Sequence, residues 1–365
     1  MSATVVAFGD PRAIKKWSAN LWVDVMKTSY FEKFTGKDDN SIIQRKPELE
    51  GDAGDRVSFD LCVRLRNEPT YGDDRVEGSE ESLRFFTDEV KIDQVRKAVS
   101  AGGAMTRKRT AHDLRTTAKN RLSEYFAQLS DEFAFMYLSG ARGINEDYLV
   151  APGWTGYASN TLDAPDADHI MFGGAATSKA SLAATDTMSK DLIERALNKA
   201  AMMQARNPQT ANMVPVSVDG QKAFVLLMNP DQEYDLRKES GANGWVDIQK
   251  ALATNLGNKS PIVQGGLGMI GGAILHSHRN VIRFNDYGAG GNVYAARALL
   301  LGRQAGVVAY GNSGGARFQW KEEEKDYGNE PVVSSGFIGG FKKTRFNGKD
   351  FGVISIDTAA KDPNA

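Results

Sequence analysis

The chain has 365 residues, with 45 Lys and Arg against 46 Asp and Glu, a net charge of -1, 41% hydrophobic and 25% charged residues. That size accommodates two or three packed regions, the composition excludes disorder as the default state, and the charge balance supplies no global field for gripping nucleic acid or an anionic membrane. A single cysteine, Cys62, excludes an intrachain disulfide and a multi-cysteine zinc site.

The first residues lack a basic segment followed by a long apolar run, so no signal peptide is expected. The apolar run 295–308 is interrupted by Arg297 and Arg303, short of the roughly 18 residues of a membrane span. Near-neutral charge also lets copies of the chain approach one another.

From residue 11 to 34, Ile14, Trp17, Leu21 and Val25 fall on one helical face, with Pro11 in the first turn, and Phe31 and Phe34 extend it. Trp17 and Trp22 followed by a polar stretch fit an arm lying on another subunit, or equally a helix on its own core. Residues 56–65 alternate, with Val57, Phe59, Leu61, Val63 and Leu65 on one face of a half-buried strand, and a second extended run covers 83–95. The tip between them carries Glu68, Asp73, Asp74, Glu77, Glu80 and Glu81. With little but Tyr71 and Val76 to bury, this projecting hairpin is expected to rest on a neighbour.

A basic run, Arg107, Lys108 and Arg109, precedes a long amphipathic helix marked by Leu114, Ala118, Leu122, Tyr125, Leu129, Phe133 and Met136, ending at Gly140. The basic run is expected to receive the acidic tip of an adjacent subunit, against the alternative that both are solvated faces. A second helix is expected from about Ser189 to before Asn207-Pro208, then strands over 214–228 and a helix start at Asn229-Pro230. Residues 273–284 and 297–310 mix buried strand with room for a short helix. Asn347-Gly348 marks a tight hairpin, followed by a closing strand over 351–356.

No constellation demands catalysis. Gly266, Gly268 and Gly271 match the dinucleotide fingerprint that an oxidoreductase would need, but the continuation, residues 273–284, reads as a strand and not the required helix. His276 and His278 share one strand face as two metal ligands would. With only His112 and His169 besides, and no acid or cysteine cluster nearby, structural histidines are the better account. Cys62 reads as a packing residue and the acids of 321–326 as a solvated loop.

The stretches Phe224-Val-Leu-Leu-Met-Asn-Pro-Asp-Gln-Glu-Tyr-Asp-Leu236, Ile274-Leu-His-Ser-His278, Ala296-Arg-Ala-Leu-Leu-Leu-Gly-Arg-Gln304 and Asp326-Tyr-Gly-Asn-Glu-Pro331 through Phe346 resemble the major capsid family of tailed phages related to the shell protein of enquatro-type podophages. The resemblance spans nearly the whole chain. It implies an α+β, Hong Kong 97-type fold: N-terminal arm 1–50, extended hairpin loop 51–105, peripheral domain with a spine helix 106–186, axial domain 187–311, and C-terminal strands 312–365 returning to the peripheral domain. It further implies a non-enzymatic shell subunit, without cofactor or metal, forming hexamers and pentamers around double-stranded DNA held by weak contacts. Implied partners are a separate scaffolding protein, a portal protein and a decoration protein, with assembly in the host cytoplasm and no membrane. An encapsulin-like compartment shell shares the fold and is the alternative.

Overall fold

The structure, a computed structural model, describes residues 29–50, 53–62, 65–109, 114–206, 213–218, 220–239, 266–311 and 319–362. Trp17, Trp22 and most of the helix expected over 11–34 lie outside the described residues. The part of that helix which is described is a single 3-10 turn, Phe31–Phe34, whose two phenylalanines are buried. Then come β1 (Thr35–Gly36) and β2 (Ile43–Lys46).

The alternating segment forms β3 (Arg56–Cys62), paired antiparallel with β4 (Phe85–Lys91) from Arg56↔Lys91 to Cys62↔Phe85. The extended run expected over 83–95 is corrected to two strands. At Ile92 the chain leaves the hairpin, its N–H donating to the Asp55 carbonyl at 2.9 Å while its side chain packs against the small cluster of Leu49, Val57, Val90, Val307 and Ala309, and β5 (Asp93–Ser100) joins a different sheet. One strand cannot satisfy two diverging sheets, so the extended run divides where its backbone partner changes.

The basic run is a short helix, α1 (Ala104–Arg109), and the amphipathic pattern is α2 (Leu114–Ser139). At 26 residues α2 runs ~39 Å. Its first turns bury one stripe, but Phe133 to Leu138 are all buried, so its end is surrounded by protein. Gly140 ends it with φ of 69°, donating to Met136 O at 2.8 Å. A Cβ there would meet Asp163 O at 2.0 Å, so only glycine fits.

Three short strands follow, β6 (Gly156–Tyr157), β7 (Asn160–Thr161) and β8 (Ile170–Phe172), then α3 (Lys190–Arg206), with Leu192, Ile193, Ala196, Ala200 and Met203 inward. After β9 (Val216–Val218) and β10 (Gln221–Met228), α4 (Pro230–Lys238) begins with a capping box. Asn229 Oδ1 accepts from Asp231 N–H, and Gln232 Oε1 accepts from Asn229 N–H.

The remainder is all strand among the described residues: β11 (Gly268–Ile270), β12 (Ala273–Ser277), β13 (Arg283–Tyr287), β14 (Val293–Leu301), β15 (Gly306–Tyr310), β16 (Gln319–Lys325), β17 (Glu330–Lys343), β18 (Arg345–Phe346), β19 (Lys349–Asp350) and β20 (Val353–Ala359). No short helix interrupts 297–310, where a turn at Gln304, φ 52°, joins β14 to β15. The acidic stretch beginning at Lys321 is likewise strand and not loop, because β16 finds a seven-residue antiparallel register on β17.

Two sheets organise these elements. One has the order β1-β2-β15-β17-β16, with β5 also on β17; the other runs β11-β12-β10-β14-β20-β8, with β9 on β10 and β13 on β14. The second sheet is buried on both faces. Val225, Leu227, Leu299, Leu301 and Val353 point into a core shared with α2, and Leu226, Met228, Leu300, Ile354 and Ile356 point into a core covered by α3. That two-sided burial explains the continuous apolar runs Phe224–Met228 and Ala298–Leu301, which a sheet with one wet face would not tolerate. Sheet membership cuts across chain order: β8 pairs with β20, and β15 pairs with β2 and β17.

Candidate assembly surfaces

The β3–β4 hairpin carries a tip in which every residue from Leu65 to Glu80 is exposed. Five of the six predicted acids, Glu68, Asp73, Asp74, Glu77 and Glu80, are therefore in water. Glu81 differs, since one of its carboxylate oxygens accepts the Arg66 and Asn67 N–H groups at 2.7 and 2.9 Å and closes the base of the tip. These backbone donors hold its carboxyl below the usual range. Leu65, Tyr71, Val76, Leu83 and Phe85 are each 57–70% exposed. Among the described residues nothing covers them.

The root of the hairpin, by contrast, is fixed. Asn160 exchanges two hydrogen bonds with the Lys91 backbone, Nδ2 donating to O at 2.8 Å and Oδ1 accepting from N at 3.0 Å. Buried Asp88 receives Lys342 Nζ and, at 3.0 Å, the Arg345 N–H. Gly340 of β17 faces Lys91 O so closely that a Cβ would lie 1.9 Å away. Sequence reasoning missed these anchors, because the partners of Asn160, Asp88 and Gly340 all lie 69 residues or more away. A rigid root under an exposed tip makes a lever.

The predicted basic receptor is only partly available. Arg107 turns inward, Nη1 donating to Gly102 O at 3.0 Å and Asn329 O at 3.2 Å, while Lys108 and Arg109 are exposed. The structure brings the tip acids together on one loop and the three cations together on α1. It does not bring the two groups into contact within one chain.

The described start of the chain is clasped to α2. Asp131 accepts from Ser29 Oγ at 2.7 Å, Tyr30 N at 2.9 Å and Phe31 N at 3.1 Å, while burial pushes its carboxyl pKa up against those donors. His276 and His278 are part of this packing. His278 lies 4.4 Å from Tyr30 and 5.1 Å from Phe135 ring to ring, and His276 lies 5.5 Å from Phe34. Burial, with Arg279 and Lys33 nearby, pushes His278 down to about 4. They are structural histidines.

The remaining chemical candidates dissolve in the same way. The glycine fingerprint spans the tight β11–β12 hairpin, with Ile270↔Ala273 paired across Gly271-Gly272, so no helix N-terminus faces a phosphate. Cys62 ends β3 on an exposed position. Among the described residues no group of three or more His, Cys, Asp or Glu is arranged for a metal, and no helix is long and apolar enough to cross a membrane.

A subunit with a doubly covered core, a clamped projecting hairpin and apolar surface concentrated at that hairpin's tip is a structural building block. The family comparisons agree. A sequence model of phage capsid proteins matches residues 5–362. The major capsid protein of Pseudomonas phage KPP25 is 28% identical over 373 residues, covering 94% of each chain. The capsid of Ralstonia phage GP4 superposes with a TM-score of 0.87 at 65% identity over 100% of both chains. The capsid of cyanophage Pam1, 22% identical, gives 0.71 over 92% of this chain and 93% of its own. The chain belongs to the phage capsid protein family. Its fold is the α+β, Hong Kong 97-type fold, and its function is that of a phage major capsid protein, a self-assembling component of the virion shell and not an enzyme.

Proposed function

We propose that copies of this chain form the hexamers and pentamers of an icosahedral head enclosing double-stranded DNA, with the hairpin tip as a principal contact between neighbours. The observation that carries this is the set of exposed apolar side chains, Leu65, Tyr71, Val76, Leu83 and Phe85, on a lever whose root is locked. Several large apolar side chains left exposed on one loop are a liability on a monomer and an asset in an assembly. The acids Glu68, Asp73, Asp74, Glu77 and Glu80 then meet the cations of an adjacent α1, chiefly Lys108 and Arg109, and set the register of the contact.

In this arrangement the peripheral domain comprises α2 and the sheet containing β17, and the axial domain comprises α3 and the sheet containing β14. This division moves β15 to the peripheral side, and β8 and β20 to the axial side. Trp17 and Trp22 belong to an arm that lies on another subunit. A scaffolding protein guides assembly in the host cytoplasm, and a portal protein replaces one capsomer. A net charge of -1 suits an inner wall that touches DNA weakly.

The test is electron microscopy of the protein expressed with and without its neighbouring phage genes, after size-exclusion chromatography. Closed shells with hexameric and pentameric capsomers are expected. A stable monomer under all conditions would refute the proposal.

A further inference from the structure

Tyr327 is the most exposed of the large hydrophobic residues described, at 109% of its reference exposure. It stands at the turn between β16 and β17, where three successive residues, Asp326, Tyr327 and Gly328, have φ of 53°, 50° and 90°. Glycine adopts that left-handed region freely and aspartate tolerates it, but a bulky tyrosine there is strained. In the isolated subunit the strain returns nothing, since among the described residues nothing covers the ring.

The turn is nonetheless held from behind. Asn329 donates from its N–H to Asp326 O and from Nδ2 to Asp326 Oδ2, both at 3.0 Å, while its Oδ1 accepts from Ala104 N–H at 2.9 Å. The Asn329 carbonyl in turn receives Arg107. The inward turn of Arg107 thus has a purpose, which is to tie α1 to this turn. Tyr327 is thereby carried on a turn bonded to the helix that bears Met105, itself 61% exposed, together with Lys108 and Arg109.

We propose that this composite surface, Tyr327 and Met105 flanked by Lys108 and Arg109, is the receptor for the hairpin tip of a second copy, with Tyr71 and Val76 as the apolar counterparts. The inference rests on the proposed tip-docking function and names its other half. Charge and polarity match on both sides. Residues 65–85 carry six acids against Arg66, Arg75 and Arg84, and α1 carries three cations and no acid. An aromatic anchor within a charged rim is how interfaces concentrate binding energy. Strain kept at a contact point, where another residue would relieve it, is what a surface selected for assembly retains.

The test uses the full chain and compares Tyr327→Asn, Tyr71→Ser and the double variant, each measured twice: the unfolding midpoint of the unassembled subunit, and the protein concentration at which shells appear. Tyr327→Asn is expected to leave the midpoint unchanged or raise it, because asparagine accepts the left-handed backbone, yet to raise the assembly threshold roughly tenfold, as loss of an interface anchor does. Tyr71→Ser is expected to do the same to assembly, and the double variant to be little worse than either single one. A lowered midpoint for Tyr327→Asn would assign the ring to the fold and overturn the proposal. Impaired assembly with Tyr71→Ser but normal assembly with Tyr327→Asn would keep tip docking and reject this receptor. Normal assembly in both variants would reject tip docking itself, and fully additive effects would place the two tyrosines in separate contacts.

Discussion

Arg297 lies in the apolar strand β14, with its guanidinium buried between sheet and helix. It donates from Nε to Asp357 Oδ1 at 2.7 Å, from Nη2 to Asp357 Oδ2 at 2.8 Å, and from Nη1 to the Ser139 carbonyl at the end of α2 at 2.8 Å. Tyr287 closes the network by donating its hydroxyl to Asp357 Oδ2 at 2.7 Å. Arg297→Met leaves Asp357 buried without its counter-charge and should destabilise the unassembled subunit by about 3–5 kcal/mol in urea unfolding. Adding Asp357→Leu should recover much of that loss, because the cost lies in the orphaned charge; a double variant as unstable as the single one would contradict this account. Glu32 is a second residue-scale case. It lines a pocket with Phe31, Ile43, Phe133, Tyr310 and Phe337, and burial pushes its carboxyl up to about 7, with Arg45 opposing. A raised folded pKa means the folded state favours the proton, so this contribution is fully present below 4.5 and lost as pH rises through 7. Glu32→Gln should therefore melt with the wild type below 4.5 and above it in temperature beyond pH 7; parallel melting profiles at all pH would remove Glu32 from the pH response. Neither residue was visible beforehand. Arg297 served only to interrupt an apolar run, and the surroundings of Glu32 are completed by a helix about 100 residues away and by strands nearly 300 residues away in the chain.

Periodicity identified the elements better than their partners. The apolar stripe from Leu114 to Met136 located α2, alternation located β3, Asn229-Pro230 located the start of α4, and Asn347-Gly348 located the turn between β18 and β19, where φ of 51° and 71° suits that dipeptide. The signals failed wherever pairing at a distance decides the outcome. The break at Ile92 is set by two sheets meeting, and the strand character of β16 by the register that β17 offers. The acidic tip and basic run were legible as charge, but the inward turn of Arg107 was not. It confines the cationic role of α1 to Lys108 and Arg109, so the informative reversal is Lys108→Glu with Arg109→Glu, leaving Arg107 in place. Both side chains are exposed, so the subunit's unfolding free energy should stay within about 0.5 kcal/mol of wild type. Shell formation should fail or need higher protein concentration, and should become less sensitive to added salt than in the wild type. Normal, salt-sensitive assembly of this variant would show that α1 contributes no charge to the contact.

For the whole molecule, the question is where the folded body ends and the arm begins. Sequence spacing placed one continuous helical face over 11–34, which would let the whole segment be removed without harm to the fold. The structure moves that limit. Phe31 stacks edge-on to Phe135 with centroids 4.8 Å apart, Phe31 and Phe34 are 4% and 2% exposed, and Asp131 holds the backbone at Tyr30 and Phe31. These residues belong to the core beside α2. Deleting residues 11–34 would therefore remove two buried aromatic side chains, each worth about 3–5 kcal/mol when truncated, and would leave Asp131 buried without its donors. Deleting residues 1–28 keeps every one of those contacts. The shorter deletion should unfold at nearly the wild-type urea concentration, while its shells, followed by sedimentation and electron microscopy, should form in lower yield or fall apart sooner. The longer deletion should be unfolded or insoluble, so that its failure to assemble carries no information about the arm. If the shorter deletion assembles shells of normal size and stability, residues 1–28 contribute nothing to holding neighbours together, and the cohesion of the head rests on the hairpin and the faces of the folded body.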